Sequence, residues 1–202
     1  MFMSRLTEAL EYLYNFLCLD HPEIASSLQP GLTREEIDEK VKHLRFSLPE
    51  EVYELYQWRN GMRGTIFFEL LYDGYRLDIE INDTVTIALF YSLEKAINSY
   101  FMKYTPFLMP LFSWYDNMIA GGFFAVNLEQ GGSHIVHYID RYLNELEQEK
   151  DFYKNNIIYS SLTDLILAIA ECCEAALLPS SSKGVLLIDE DKFEQIYLKY
   201  KA

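Results

Sequence analysis

The segment from Ser47 to Met62, SLPEEVYELYQWRNGM, constrains the fold most, because it carries signals for both ends of one short helix. Ser47 with Glu50 three residues on has the spacing of a capping box. Pro49 suits a first helical turn, and Asn60-Gly61 offers a left-handed residue to stop the helix. Gly61 is therefore expected at positive φ. Between these ends Val52, Leu55 and Tyr56 recur at helical spacing, which predicts one buried face and leaves Glu50, Glu51, Glu54 and Arg59 to solvent. None of this is catalytic chemistry.

Helical periodicity recurs on the N-terminal side. Leu6, Leu10, Leu13 and Leu17 share one face of a helix predicted over about 4–19, which follows Ser4 and stops before His21-Pro22. Thr33 with Glu36 forms a second capping-box pattern, ahead of an Ile37, Val41 and Leu44 stripe. Beyond Met62 the period falls from 3.6 to 2. Thr65 to Leu71 and Tyr75 to Ile81 read as strands around an Asp73-Gly74 hairpin turn, and in the second strand apolar residues alternate with Arg76, Asp78, Glu80 and Asn82. Thr84 to Tyr91 reads as a further strand, and Ser92 as the cap of a helix reaching about Tyr104.

A meander is then predicted from Met109 to Trp114, Ile119 to Leu128 and Ser133 to Ile139, with turns at 115–117 and 129–132. Residues 140–156 are polar and fit either a short exposed helix or an excursion from the fold. Ser161 opens a strongly apolar helix that ends before Pro179, with Leu162, Leu165, Ile166, Ile169 and Cys173 inward. Ser180 to Gly184 is a connector to a short C-terminal strand and a last helix, at about 185–201. Strands and helices in this order predict an α+β fold, and a chain of 202 residues with half its side chains apolar can bury one core without a second domain.

The charge excludes some functions. Seventeen basic against 31 acidic side chains give a formal net charge of −14, which opposes binding to a nucleic-acid backbone and suits a basic protein partner or simple solubility. The N-terminus lacks the basic opening and small-residue cleavage site of a secretory signal, and no segment approaches the roughly 20 apolar residues of a bilayer span. Cys18, Cys172 and Cys173 are odd in number and two are adjacent, so reduced thiols in a cytoplasmic protein are expected.

Candidate chemistry is sparse. His134 and His137 are three apart, but their surroundings argue strand, where that spacing puts the imidazoles on opposite faces, away from a shared metal. His21 and His43 are isolated. Cys172-Cys173 lies on the apolar helix between Glu171 and Glu174, the wrong sign to activate a thiol. Gly121-Gly122 and Gly131-Gly132 lack the strand, helix and Lys context of a phosphate cradle. Asp78 and Glu80 share a strand face without a nearby His, which reads as a solvated face before it reads as a hydrolase pair. The 16 Tyr, 13 Phe and 2 Trp are not interleaved with basic residues, so they point to core and protein interface, not to nucleic acid. No catalytic residue, cofactor site or metal site is expected.

Leu48-Pro49, Tyr56 seven residues after that proline, and Asn60-Gly61 just beyond resemble the opening signature of the SUKH superfamily, which includes bacterial toxin-immunity proteins and a fungal cell-wall-synthesis regulator. Tyr91-Ser92-Leu93-Glu94-Lys95-Ala96 is similar to its strand-end and helix motif. Pro110-Leu111-Phe112 ahead of Gly121 to Val126 resembles its central strand pair, and Ser161 to Leu165 its late helix opening. These matches cover roughly residues 33–178 in the family's order; the N-terminal helix and the 140–156 segment depart from it. The resemblance implies a central mixed, mostly antiparallel sheet flanked by helices, in a single domain over 1–202 that is used as a protein-binding scaffold. Leu48, Pro49, Tyr56, Asn60 and Gly61 are then structural. The leading expectation is an immunity protein that binds and neutralises a toxin, with a basic toxin domain as the fitting partner. A regulatory scaffold for cell-wall or polysaccharide synthesis is the alternative, and an uncharacterised hydrolase a more distant one. For the partner-binding face the acidic residues Asp78, Glu80, Asp83, Glu145, Glu147 and Glu149 are the candidates.

Overall fold

The N-terminal helices form as their caps dictate. In the computed structural model, which describes residues 3–63, 68–71, 84–99, 102, 107–116, 121–129, 131–139, 157–175, 178–179, 185–187 and 190–202, helix α1 spans Arg5–Asp20. Ser4 Oγ accepts from the Thr7 N–H, and Leu6, Leu10, Leu13 and Leu17 are buried as their spacing requires. A short helix α2 (Pro22–Ser27) and a three-residue strand β1 (Leu28–Pro30) follow. The Thr33–Glu36 capping box is complete at the start of α3 (Arg34–Val41), and Ile37 is fully buried.

Helix α4 (Glu50–Trp58) differs from expectation at both ends. The Ser47–Glu50 capping box does not form. Pro49 is itself the N-cap, extended at φ −62° and ψ 151°, and has no N–H for Glu50 to bind. The Glu50 carboxylate is instead taken by Arg34. At the other end Arg59 is already extended, so the helix stops before Asn60-Gly61, and Gly61 lies in a strand β2 (Arg59–Met62) paired antiparallel with β1. Its expected positive φ is present, at 76°.

The remaining strands are β3 (Phe68–Leu71), β4 (Thr84–Phe90), β5 (Leu108–Asp116), β6 (Gly121–Asn127), β7 (Ile135–Ile139), β8 (Ile157–Tyr159), β9 (Leu178–Pro179) and β10 (Val185–Leu187). They form one sheet in the order β8-β7-β6-β5-β4-β3-β10-β9, antiparallel throughout except for the β3–β10 pair. Helices α5 (Leu93–Ile97), α6 (Leu162–Ala175) and α7 (Glu190–Tyr200) complete the α+β fold. The predicted β5-β6-β7 meander is present, although Tyr115 and Asp116, read as a turn, are the last residues of β5. Helix α5 ends at Ile97, where Asn98 leaves helical geometry at φ −96° and ψ 7° and its side chain donates to the Glu94 carbonyl; Met102 is helical again, and beyond Ser99 the stretch to Tyr104 lies otherwise outside the described residues. The predicted strand Tyr75 to Ile81, its Asp73-Gly74 turn and the 140–156 segment lie outside the described residues.

Strand alternation sorts the core. Met109 and Leu111 of β5, Phe124 and Val126 of β6 and Ile135 of β7 join one continuous apolar cluster with residues of α1, α4, α5, α6 and α7. Leu108, Ala125 and Val136 belong to a separate, smaller cluster with Phe107 and Ile157. The first and last helices therefore share the main core with the middle of the chain: Leu6 and Ile196 are both buried in it.

Candidate functional site

The residues expected to be structural come together in one joint. Leu48 is buried ahead of α4, Pro49 caps that helix, and Tyr56 on its inner face is fully buried, stacked 5.8 Å from Phe90, which stacks in turn 5.1 Å from Phe112. Asn60 Oδ1 accepts from the Leu93 N–H at 2.9 Å, while Ser92 Oγ accepts from the Lys95 N–H at 3.3 Å. Two of the free N–H groups at the start of α5 are thereby satisfied, one of them by a residue 33 positions away. The Asn60 carbonyl accepts from Gln29 Nε2 at 3.0 Å, which ties β1 to the same point. Gly61 packs directly on the backbone of Tyr91 and Ser92.

The Tyr56 hydroxyl is buried and has no hydrogen-bond partner among the described residues. Burial without an acceptor raises its pKa, the Glu94 charge adding to the effect. An unsatisfied buried hydroxyl costs free energy that a phenyl ring does not, so Tyr56→Phe is expected to hold or raise stability by up to about 1 kcal/mol. A urea-unfolding midpoint lower than wild type would mean that the hydroxyl has a partner in solution.

Of the α4 carboxylates expected in solvent, Glu50 stays exposed, whereas Glu51 and Glu54 are half-buried and engaged. Glu50 accepts from both Arg34 nitrogens at 2.7 and 2.9 Å, and this contact holds its carboxyl below the usual carboxylate range. Glu51 accepts from Ser133 Oγ, Thr163 Oγ1 and, at 3.0 Å, the Leu162 N–H, so it caps α6. Glu54 accepts from Ser4 Oγ and, at 3.1 Å, from Thr7 Oγ1 at the start of α1. One face of α4 thus binds the first turns of three other helices. Arg59 lies 4.4 Å over the Tyr14 ring and 5.5 Å over Trp58, leaving a half-buried aromatic and guanidinium cluster on the surface.

Asp78, Glu80, Asp83, Glu145, Glu147 and Glu149 lie outside the described residues. His134 immediately precedes β7, and the backbone of His137 pairs with Phe124 within that strand. Among the described residues no three His, Cys, Asp or Glu side chains gather as metal ligands. Cys18 is exposed, whereas Cys172 and Cys173 are buried in α6. Desolvation pushes the Cys172 thiol up to about 12, and it raises Cys173 and Tyr159 as well.

These groups are neutral when folded and ionise more readily once unfolded, near 8.5 for a thiol and 10 for a phenol by ordinary values. Their contribution to stability is therefore complete below the unfolded pKa and is lost as pH rises toward the folded one. The urea midpoint is expected to hold between about pH 7 and 8 and to fall progressively above about pH 9. A flat profile to pH 11 would show that the thiols and phenols are not buried.

Sequence reading missed the contacts that only folding creates: Asn60 on α5, Glu51 on α6, and Arg59 between Tyr14 and Trp58. No spacing along the chain signals them. No protein-family model matches this chain, and no curated protein matches it in sequence. Among the described residues no helix is long and apolar enough to cross a membrane.

Proposed function

We propose that the chain is a non-enzymatic protein-binding domain of the SUKH kind, acting in the cytoplasm as an immunity protein that binds and neutralises a basic toxin domain. The observation that carries this reading is the joint at Asn60-Gly61. The two segments most similar to the superfamily, 48–61 and 91–96, are separate in sequence, yet Asn60 caps the helix that the second one opens and Gly61 touches its backbone. A chance likeness of helix punctuation would not require the two to interlock. The shared core of α1, α6 and α7 supports one domain over 1–202. Three free cysteines, two of them adjacent and buried, suit a reducing compartment.

Neutralisation would be stoichiometric and would proceed by occlusion. The net charge of −14 favours rapid encounter with a cationic partner, and the Tyr14, Trp58 and Arg59 cluster offers the residue types that dominate binding energy once contact is made. Native pull-down with mass spectrometry should recover a toxin domain, and co-expression should protect cells from it. Reversing Glu145, Glu147 and Glu149 to Lys should slow association at low salt and matter little near 1 M, where the Debye length is about 3 Å. Unchanged association rates at both salt concentrations would remove the acidic face from recognition, and failure of co-expression to protect would remove the immunity reading.

A further inference from the structure

An open groove of about 560 Å³ lies between residues 43–45, which follow α3, and Ile97, Asn98, Ser99 and Met102, at and beyond the end of α5. Its floor is apolar: Ile97 and Met102 are buried and Leu44 is packed on the core. Its rim carries the His43 imidazole and Arg45 guanidinium on one side and the Asn98 amide and Ser99 hydroxyl on the other. Among the described residues no carboxylate lines it.

The lack of a carboxylate partner among the described residues sets Arg45 apart from Arg34, Lys40, Lys42 and Lys199. Acidic residues outnumber basic ones by 31 to 17, and Arg34, Lys40, Lys42 and Lys199 each contact a carboxylate. Arg45 and His43 are exposed and have no hydrogen-bond or ion-pair partner among the described residues. Ser99 Oγ accepts from the Met102 N–H at 3.2 Å, which leaves its own hydroxyl proton to donate outward. Asn98 Nδ2 already donates to the Glu94 carbonyl, so it is not one of the donors open to an anion. A guanidinium without a described carboxylate partner, facing a free hydroxyl donor across an apolar floor, is complementary to an anion that carries an apolar group.

We propose that this groove binds a monocarboxylate with a short apolar chain, its carboxylate held by Arg45 with His43 and Ser99, and its chain laid on Ile97, Met102 and Leu44. A free short-chain acid and the C-terminal residue of a peptide share this chemistry. The assignment is independent of the toxin-binding reading and stands or falls without a partner.

The test is titration of the isotopically labelled full chain, followed by amide NMR, with hexanoate and N-acetyl-leucine against the uncharged hexanol and N-acetyl-leucinamide. The carboxylates should shift the Asn98, Ser99 and Met102 signals saturably, and the uncharged pair should not. Arg45→Gln should weaken binding about tenfold, and Ser99→Glu should abolish it, by removing or opposing the charge attraction. Both positions lie on the rim, so unchanged thermal midpoints should show that the fold survives. Binding of both acids assigns free acids as ligands, whereas binding of N-acetyl-leucine alone assigns a peptide end. No saturable shift by about 10 mM, equal shifts from the uncharged probes, or indifference to Arg45→Gln would overturn the site.

Discussion

Gly61→Ala is expected to destabilise the protein by about 3 to 5 kcal/mol, whereas Gly131→Ala should cost only about 1 kcal/mol. Both glycines have positive φ, 76° and 65°, so both substitutions carry the strain of an L-residue in the left-handed region. Only their surroundings differ. A Cβ on Gly131 meets nothing within 4 Å. A Cβ on Gly61 would stand 2.3 Å from the Ser92 nitrogen and 2.7 Å from the Ser92 Cα and the Tyr91 carbonyl carbon, all of them backbone atoms that cannot rotate away. Relief would require β2 to separate from the start of α5, breaking the Asn60 contact with the Leu93 N–H. Urea midpoints at constant m value give the comparison directly. Equal costs for the two substitutions would show that the joint yields easily and does not fix β2 against α5.

Local signals were legible where they are complete within one turn of chain. Ser4 and the leucines behind it define α1, and Thr33 with Glu36 defines α3, because cap and stripe lie within a few residues. The start of α4 was misread for a tertiary reason: Glu50 could serve either Ser47 or Arg34, and folding brings Arg34 to it with both guanidinium nitrogens. Strand β2 was hidden because Asn60-Gly61 reads as punctuation, and its partner β1 is too short to show a period. Tyr56 was legible as buried, but its unpartnered hydroxyl was not. The groove could not be seen at all, since His43 and Ser99 are joined only by the packing of α3 against α5, of which the Lys40–Glu94 ion pair at 2.5 Å is one part.

Glu51→Ala is expected to cost about 2 to 4 kcal/mol, with Glu51→Gln falling between it and wild type. The half-buried Glu51 carboxylate serves three donors from two distant segments. Its Oε2 takes Ser133 Oγ and the Leu162 N–H, and its Oε1 takes Thr163 Oγ1. Alanine leaves the Leu162 N–H only its 3.4 Å contact with Ser133 Oγ, strands a buried threonine hydroxyl, and removes a negative charge from the N-terminus of a 14-residue helix. Glutamine keeps one acceptor oxygen. That oxygen can hold the Leu162 N–H if the Thr163 hydroxyl rotates to accept from the new amide, so the hydrogen bonds are largely rebuilt and mainly the charge is lost. Glu50→Gln is the internal control, because its pair with Arg34 is solvent-exposed and such pairs contribute little. Urea midpoints for the three variants, together with hydrogen exchange at the Leu162 amide, separate a cap from a surface contact. The expected order of stability is Glu50→Gln, Glu51→Gln, Glu51→Ala, with Leu162 exchange accelerated most in the last. If all three variants unfold at the wild-type midpoint, α4 does not hold α6 through Glu51, and the helices are kept in place by apolar packing alone.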